Sequence, residues 1–96
     1  MGSLTWWDLE IISQTYDFRE LEISVAPNPA GAYATVEMED LRTVLIYDLN
    51  GRLVALHNDL SGDSHQLDLA GLAANTYVLV AVNGERQATS HTLVKR

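Results

Sequence analysis

Residues 44–54 read VLIYDLNGRLV, two apolar runs on either side of a polar centre, and the fold turns on how this stretch reverses. Asn50-Gly51 suits the middle of a two-residue type I′ turn. Asp48 equally suits the opening of a type I turn that closes with Gly51 in the left-handed region as a bulge. We adopt the second reading. It puts aspartate first and glycine fourth, and it sets Asp48 across from Arg52, where opposite charges attract weakly. On that register Val44, Ile46, Val54 and Leu56 share the core face, while Leu45 and Tyr47 lie on the other. A slip of one residue would invert the whole list.

The same alternation recurs on both sides of this hairpin. From Glu22 onward, short runs of valine, leucine, isoleucine, tyrosine and threonine are separated about every eight to twelve residues by asparagine, glycine, proline or aspartate, the spacing of a sandwich. Seven strands are expected, at residues 21–26, 33–38, 42–48, 52–58, 64–68, 76–83 and 87–95. A helical period is absent except weakly near the N-terminus, so the class is all-β. In the second strand Tyr33, Thr35 and Glu37 should face solvent while Ala34, Val36 and Met38 are buried. Leu67 and Leu69 should point inward with Asp68 outward. The run Tyr77 to Val82 is the most apolar and should be central. Asn83-Gly84-Glu85 turns the chain into RQATSHTLVKR, a polar strand ending in two cations, which is the composition that protects an exposed edge.

Between the first two strands stands Pro27-Asn28-Pro29. Proline lacks an N–H and biases its predecessor toward extended conformations, so both prolines end the first strand's ladder. Asn28 can hydrogen-bond its neighbours' backbone as turn residues do. The segment reads as a corner carrying the chain from one sheet toward the other.

Residues 2–20 differ in character, because both tryptophans, Ile11, Ile12, Tyr16 and Phe18 fall there. So apolar an arm should be covered, either by packing back on its own sandwich or by docking onto a second copy as an arm-exchanged homodimer. Met1-Gly2-Ser3 reads as an expression remnant, and no basic segment followed by an apolar one forms a signal peptide. Any export signal is expected upstream.

A chain of 96 residues is one domain with a single modest core. Its 47% apolar and 20% charged residues are those of an ordinary folded protein. A net charge of −7 would repel a phosphate backbone or an anionic bilayer, so nucleic acid is not an expected partner. The chain has no cysteine, which excludes disulfides, thiolate metal sites and a cysteine nucleophile. The longest apolar run has the length of a buried strand and not of a spanning helix.

Catalytic signals are missing. His57, His65 and His91 show neither the i, i+2 strand spacing nor the i, i+4 helical spacing of paired metal ligands, so solvent-facing or hydrogen-bonded imidazoles are expected, with no metal and no cofactor. The fragment DLNG lacks the repeated acidic ligands of a calcium loop and is better explained as a turn. Glu37, Glu39 and Asp40 form a like-charge run, which is normally a solvated face. No nucleophile elbow, phosphate-cradling loop or zinc-protease motif occurs. The expectation is a protein that is not an enzyme. A glycan-binding module would want exposed aromatics on a platform, yet Trp6 and Trp7 lie outside the strands.

Taken in order, ISVAPNPA, VLIYDLNGRLV, LDLAGLAANTYVLVAV and HTLVKR resemble the C-terminal sorting domain (type A) of cargo for the type IX (Por) secretion system of Bacteroidetes. The likeness covers residues 21–96, leaving 1–20 as remnant and arm or linker. In one place the chain departs from it. Members carry a pattern like L-P-A-G-x-Y before the penultimate strand, whereas this chain has Leu72-Ala73-Ala74-Asn75-Thr76-Tyr77. Asparagine tolerates positive φ best after glycine, so Asn75 is expected to keep the turn.

The resemblance implies a seven-stranded antiparallel Ig-like β-sandwich, in agreement with the strand count, acting as a signal and not a reagent. Such a domain is recognised by the outer-membrane translocon, passes through the periplasm, and brings attached cargo to the outer membrane or cell surface. There a cysteine-type sortase commonly removes it. The motif residues carried over are Pro27, Asn28, Pro29, Asp48, Gly51, Arg52, Leu93, Val94, Lys95 and Arg96. Pro27, Pro29 and Gly51 would shape turns, and the terminal strand with its two cations would be read directly, by strand addition among other modes. A cleavage point would lie before Leu21, with Ser13 to Thr15 as a candidate. The rival reading is an Ig-like adhesion or glycan-binding module without a sorting role.

Overall fold

A computed structural model describes residues 17–96. These described residues form eight strands and no helix: β1 Asp17–Phe18, β2 Ser24–Ala26, β3 Tyr33–Glu37, β4 Leu41–Tyr47, β5 Leu53–His57, β6 Ser64–Asp68, β7 Asn75–Asn83 and β8 Gln87–Lys95. They make a five-stranded sheet in the order β1-β8-β7-β4-β5 and a three-stranded sheet in the order β2-β3-β6. Every pairing is antiparallel except that of β1 with β8. Each of the seven strands read from the sequence has its counterpart. The eighth, β1, arises from the region read as an arm.

The two sheets face each other across one core. Val25, Ala34, Val36, Leu67 and Leu69 come from the smaller sheet and its flanks, and Val44, Ile46, Leu79 and Leu93 from the larger. The expected inward sets of β3 and β6 are the buried ones, and Tyr33, Glu37 and Asp68 are exposed. As expected of the most apolar run, β7 is central, held by β8 on one side and β4 on the other. Its alternate residues Val78, Val80 and Val82 point to the far face, where with Leu45, Tyr47, Ala88 and Phe18 they form a second apolar cluster. That cluster is why Leu45 and Tyr47 tolerate the face opposite the core. It also shows Phe18 packing on its own domain. Trp6, Trp7, Ile11, Ile12 and Tyr16 lie outside the described residues.

The β4–β5 hairpin turns as read. Gly51 donates its N–H to the Asp48 carbonyl at 3.1 Å, Asp48 donates its own to the Arg52 carbonyl at 2.9 Å, and Gly51 takes φ 85°. This is the type I turn with a glycine bulge. One residue later the expected register fails. Tyr47 lies opposite Leu53 but Ile46 opposite Ala55, so Val54 is an extra residue on its strand. The second bulge shifts everything beyond it by one, pairing Leu56 with Leu45 on the far face and leaving Leu56 51% exposed. Leu56 is thus not a core residue, while Val54 and Ala55 both reach the core.

Two further expectations are corrected. Asn75 is not among the residues at positive φ; it opens β7, and its Oδ1 accepts the Thr76 N–H at 2.8 Å. Because the loop at 69–72 already turns through a Leu72 N–H to Leu69 carbonyl bond at 3.0 Å, no left-handed residue is required at 75. Nor is the last strand a bare edge. β1 pairs alongside its start, through Asp17 with Gln87 and Phe18 with Ala88, and Ala30 bridges to Lys95 near its finish.

Candidate functional site

The corner at Pro27-Asn28-Pro29 leaves β2, crosses to the other sheet and returns to β3. Both prolines stand in cis peptide bonds, and Asn28 projects from between them onto β8. Its Nδ2 donates to the Thr92 carbonyl at 2.9 Å, and its Oδ1 accepts the Val94 N–H at 2.9 Å. Ala30 continues the contact, donating to the Val94 carbonyl at 2.7 Å and accepting the Arg96 N–H at 2.8 Å. A single turn thereby satisfies the outward-facing backbone groups of the last strand, which an unpaired edge would leave open. The corner therefore does not carry the chain permanently to the second sheet; it reaches over, grips β8 and comes back.

Register brings the other motif residues to the same end of the domain. Lys95 lies opposite Asn75 at the start of β7, and Tyr47 lies opposite Val78, so the Asp48–Arg52 turn sits beside that start. A shallow groove runs between the turn and the loop before β7, lined by Asp48, Asn50, Arg52, Leu72, Asn75 and Tyr77 among others. Asp48 organises its side of the groove. Its Oδ1 accepts the N–H groups of Asn50 at 2.9 Å and Arg52 at 3.0 Å, and its Oδ2 lies 3.4 Å from the Arg52 Nε. The Arg52 backbone N–H above all holds the Asp48 carboxyl below its ordinary value against the opposing effect of burial, with further help from the Asn50 N–H and the Arg52 guanidinium.

The ten residues carried over from the resemblance divide into different physical kinds. Leu93 is fully buried and belongs to the core. Gly51 shapes its turn, and Asp48 caps it. Asn28 is a clamp, a role the sequence spacing does not disclose because its partners lie 64 and 66 residues away. Lys95 and Arg96 are presented at the tip, with the Lys95 Nζ donating to the Arg96 carbonyl at 2.7 Å. Arg19 pairs with Asp17, Arg42 with Asp40 and Arg52 with Asp48, and among the described residues no aspartate or glutamate side chain is paired with either tip cation.

Elsewhere the side chains do structural work. Asp40 accepts from the Arg42 Nε at 3.0 Å and from the Gly84 N–H at 3.2 Å, tying β4 to the β7–β8 turn. His57 and His65, which spacing did not pair, meet at 3.4 Å between Nδ1 and Nε2. Burial first, and then the neighbouring His65, hold the His57 imidazole below its ordinary value. Described residues contain no group of three or more histidine or acidic side chains that could hold a metal ion.

The described residues thus form an all-β, two-sheet domain whose sequence motifs gather at one end. The family model for the secretion system C-terminal sorting domain (Por_Secre_tail) matches residues 24–96. The chain belongs to that family and is a non-catalytic sorting signal of the type IX secretion system. A search of curated proteins returns no significant match. Among solved structures, the sulfur carrier protein SoxY from Chlorobium limicola f thiosulfatophilum is 13% identical, with a TM-score of 0.45 over 96% of this chain and 99% of that one.

Proposed function

We propose that the motif-bearing end is the face read by the outer-membrane type IX translocon, with Lys95 and Arg96 as the charged mark and Asn28 as the residue that fixes its position. The observation that carries this is the pair of hydrogen bonds from Asn28 to Thr92 and Val94, which ties one motif of the family rigidly to another. In an acidic chain of net charge −7, two cations without aspartate or glutamate partners at a clamped tip give an oriented feature. Pro27 and Pro29 set the corner, while Asp48, Gly51 and Arg52 set the neighbouring turn. On this reading residues 21–96 are the sorting domain and 1–20 the arm, and a surface sortase cuts before Leu21 after transit through the periplasm.

The same reading takes the two sheets as an Ig-like sandwich of seven principal strands. Tyr77, near the start of β7, supports it by returning its hydroxyl to the Ala73 carbonyl at 2.7 Å, as the tyrosine corner of Ig domains does. For the arm, the pairing of Asp17 and Phe18 with β8 favours self-docking over exchange into a homodimer, so light scattering should report a monomer.

The test is a periplasmic reporter fused to this chain in a type IX-competent bacterium. Deleting Leu93 to Arg96 would be a poor variant, because it removes a buried leucine along with the mark. Lys95→Glu with Arg96→Glu should block surface delivery while leaving unfolding stability within about 0.5 kcal/mol, as surface substitutions do. Normal surface delivery of the double variant would overturn the assignment.

A further inference from the structure

His57 closes β5, the outer strand of the five-stranded sheet, and His65 stands in β6, the outer strand of the three-stranded sheet. Both rings are set by the sheets they stand on. His57 lies opposite Val44 and His65 opposite Val36, and each valine is fully buried. The two imidazoles therefore meet where the edges of the sheets approach, their centroids 5.1 Å apart and their planes tilted by 55°. Their contact is the sole hydrogen bond of either ring among the described residues.

The separation of the facing nitrogens has a chemical meaning of its own. A tetrahedral zinc ion with Zn–N bonds of about 2.0–2.1 Å places two imidazole nitrogens about 3.3 Å apart. Here Nδ1 of His57 and Nε2 of His65 are 3.4 Å apart, on half-buried rings that stand on rigid strands. We propose that His57 and His65 form a two-imidazole site for a divalent transition-metal ion of the zinc type, with these two nitrogens as ligands and water completing the coordination.

No proton need leave the protein when the ion enters. Two neutral imidazoles sharing one N–H···N bond become two ligands when the donor ring moves its proton to its other nitrogen, Nε2 of His57 or Nδ1 of His65. With two protein ligands the site is open and weaker than a closed structural zinc centre, which uses four. Its effect would be mechanical, clasping β5 to β6 and so one sheet to the other. Since the unfolded chain cannot hold the two rings at this distance, the ion favours the folded state by mass action. This inference is independent of the sorting role, since the imidazoles lie on other strands than the clamped tip.

Zinc chloride titrated into the full chain in a non-chelating buffer at neutral pH tests it by calorimetry and thermal unfolding. The expected result is binding of one ion with a raised unfolding midpoint, at least tenfold weaker in His57→Ala and in His65→Ala and unchanged in His91→Ala. Should an alanine variant fold poorly, nitrogen-15 spectra of the wild-type histidine rings decide, with zinc shifting Nδ1 of His57 and Nε2 of His65. Absence of binding, binding that survives both substitutions, or ring nitrogens that do not respond would each overturn the site.

Discussion

The side-chain oxygen of Asn28 accepts the Val94 N–H at 2.9 Å, so a turn residue from the first third of the chain holds the strand that ends it. The amide of the same side chain donates to the Thr92 carbonyl. Two hydrogen bonds at about 1 kcal/mol each predict that Asn28→Ala destabilises the domain by about 1–2 kcal/mol in a urea melt. Amide exchange at Val94 should speed up along with it. Asn28→Asp should not recover the loss, because a carboxylate oxygen would replace the donor facing the Thr92 carbonyl. An unchanged melt in Asn28→Ala would mean that the Ala30 bridge alone secures the tip.

Gly51 occupies the left-handed region at φ 85°, where a side chain meets the backbone. Gly51→Ala should cost about 1–2 kcal/mol of unfolding free energy, and Gly51→Asn distinctly less, because asparagine tolerates that region better. Equal costs for the two would shift the explanation from backbone conformation to lost space. The β7–β8 turn provides the comparison. Asn83 there accepts the N–H groups of Glu85 at 2.9 Å and Gln87 at 3.0 Å, repeating the capping by Asp48, while Arg86 takes the left-handed place at φ 63°.

Gly84 has no room for a side chain. A Cβ there would run into the Asp40 carboxylate, which the Arg42 guanidinium holds in place. Gly84→Ala should therefore destabilise by about 1 kcal/mol by displacing that carboxylate from its partners. In an Asp40→Ala background the same substitution should cost measurably less, since neighbours that share a contact are not additive. A double-mutant cycle with no coupling would show that the alanine clashes with something else.

What the sequence disclosed and what it concealed divide along the range of the interactions. Alternation in Ala34, Val36 and Met38, the Leu67 and Leu69 pair, and the two Asx-opened turns are local signals, and each led to the right face or the right turn. Leu56 was misplaced because the bulge at Val54 leaves no turn residue to mark it, and one extra residue reverses every face beyond it. β1 is two residues long and depends on β8 for its existence, so no periodicity announces it. The Asn28 clamp and the meeting of His57 with His65 belong to tertiary structure alone. A turn residue and an outward histidine look the same in sequence whether or not a distant partner waits for them.

Asp48 gives the fold an acid-sensitive joint. Hydrogen bonds from Arg52 and Asn50 favour its charged form and hold its carboxyl below the ordinary 3.8. A carboxylate whose value is lower folded than unfolded contributes stability that is fully present above the unfolded value and lost as pH falls through the folded one. The window for Asp48 therefore opens near pH 3.8 and extends below it. Asn in its place keeps an oxygen for the Asn50 and Arg52 N–H groups but has no proton to gain. Urea melts of the wild type should lose stability more steeply below pH 3.8 than those of Asp48→Asn, with parallel curves between pH 5 and 7, where Asp48 is ionised in both states. Parallel curves through the acid range as well would place the pH sensitivity of the domain on other carboxylates and leave the Asp48 hydrogen bonds without a preference for its charged form.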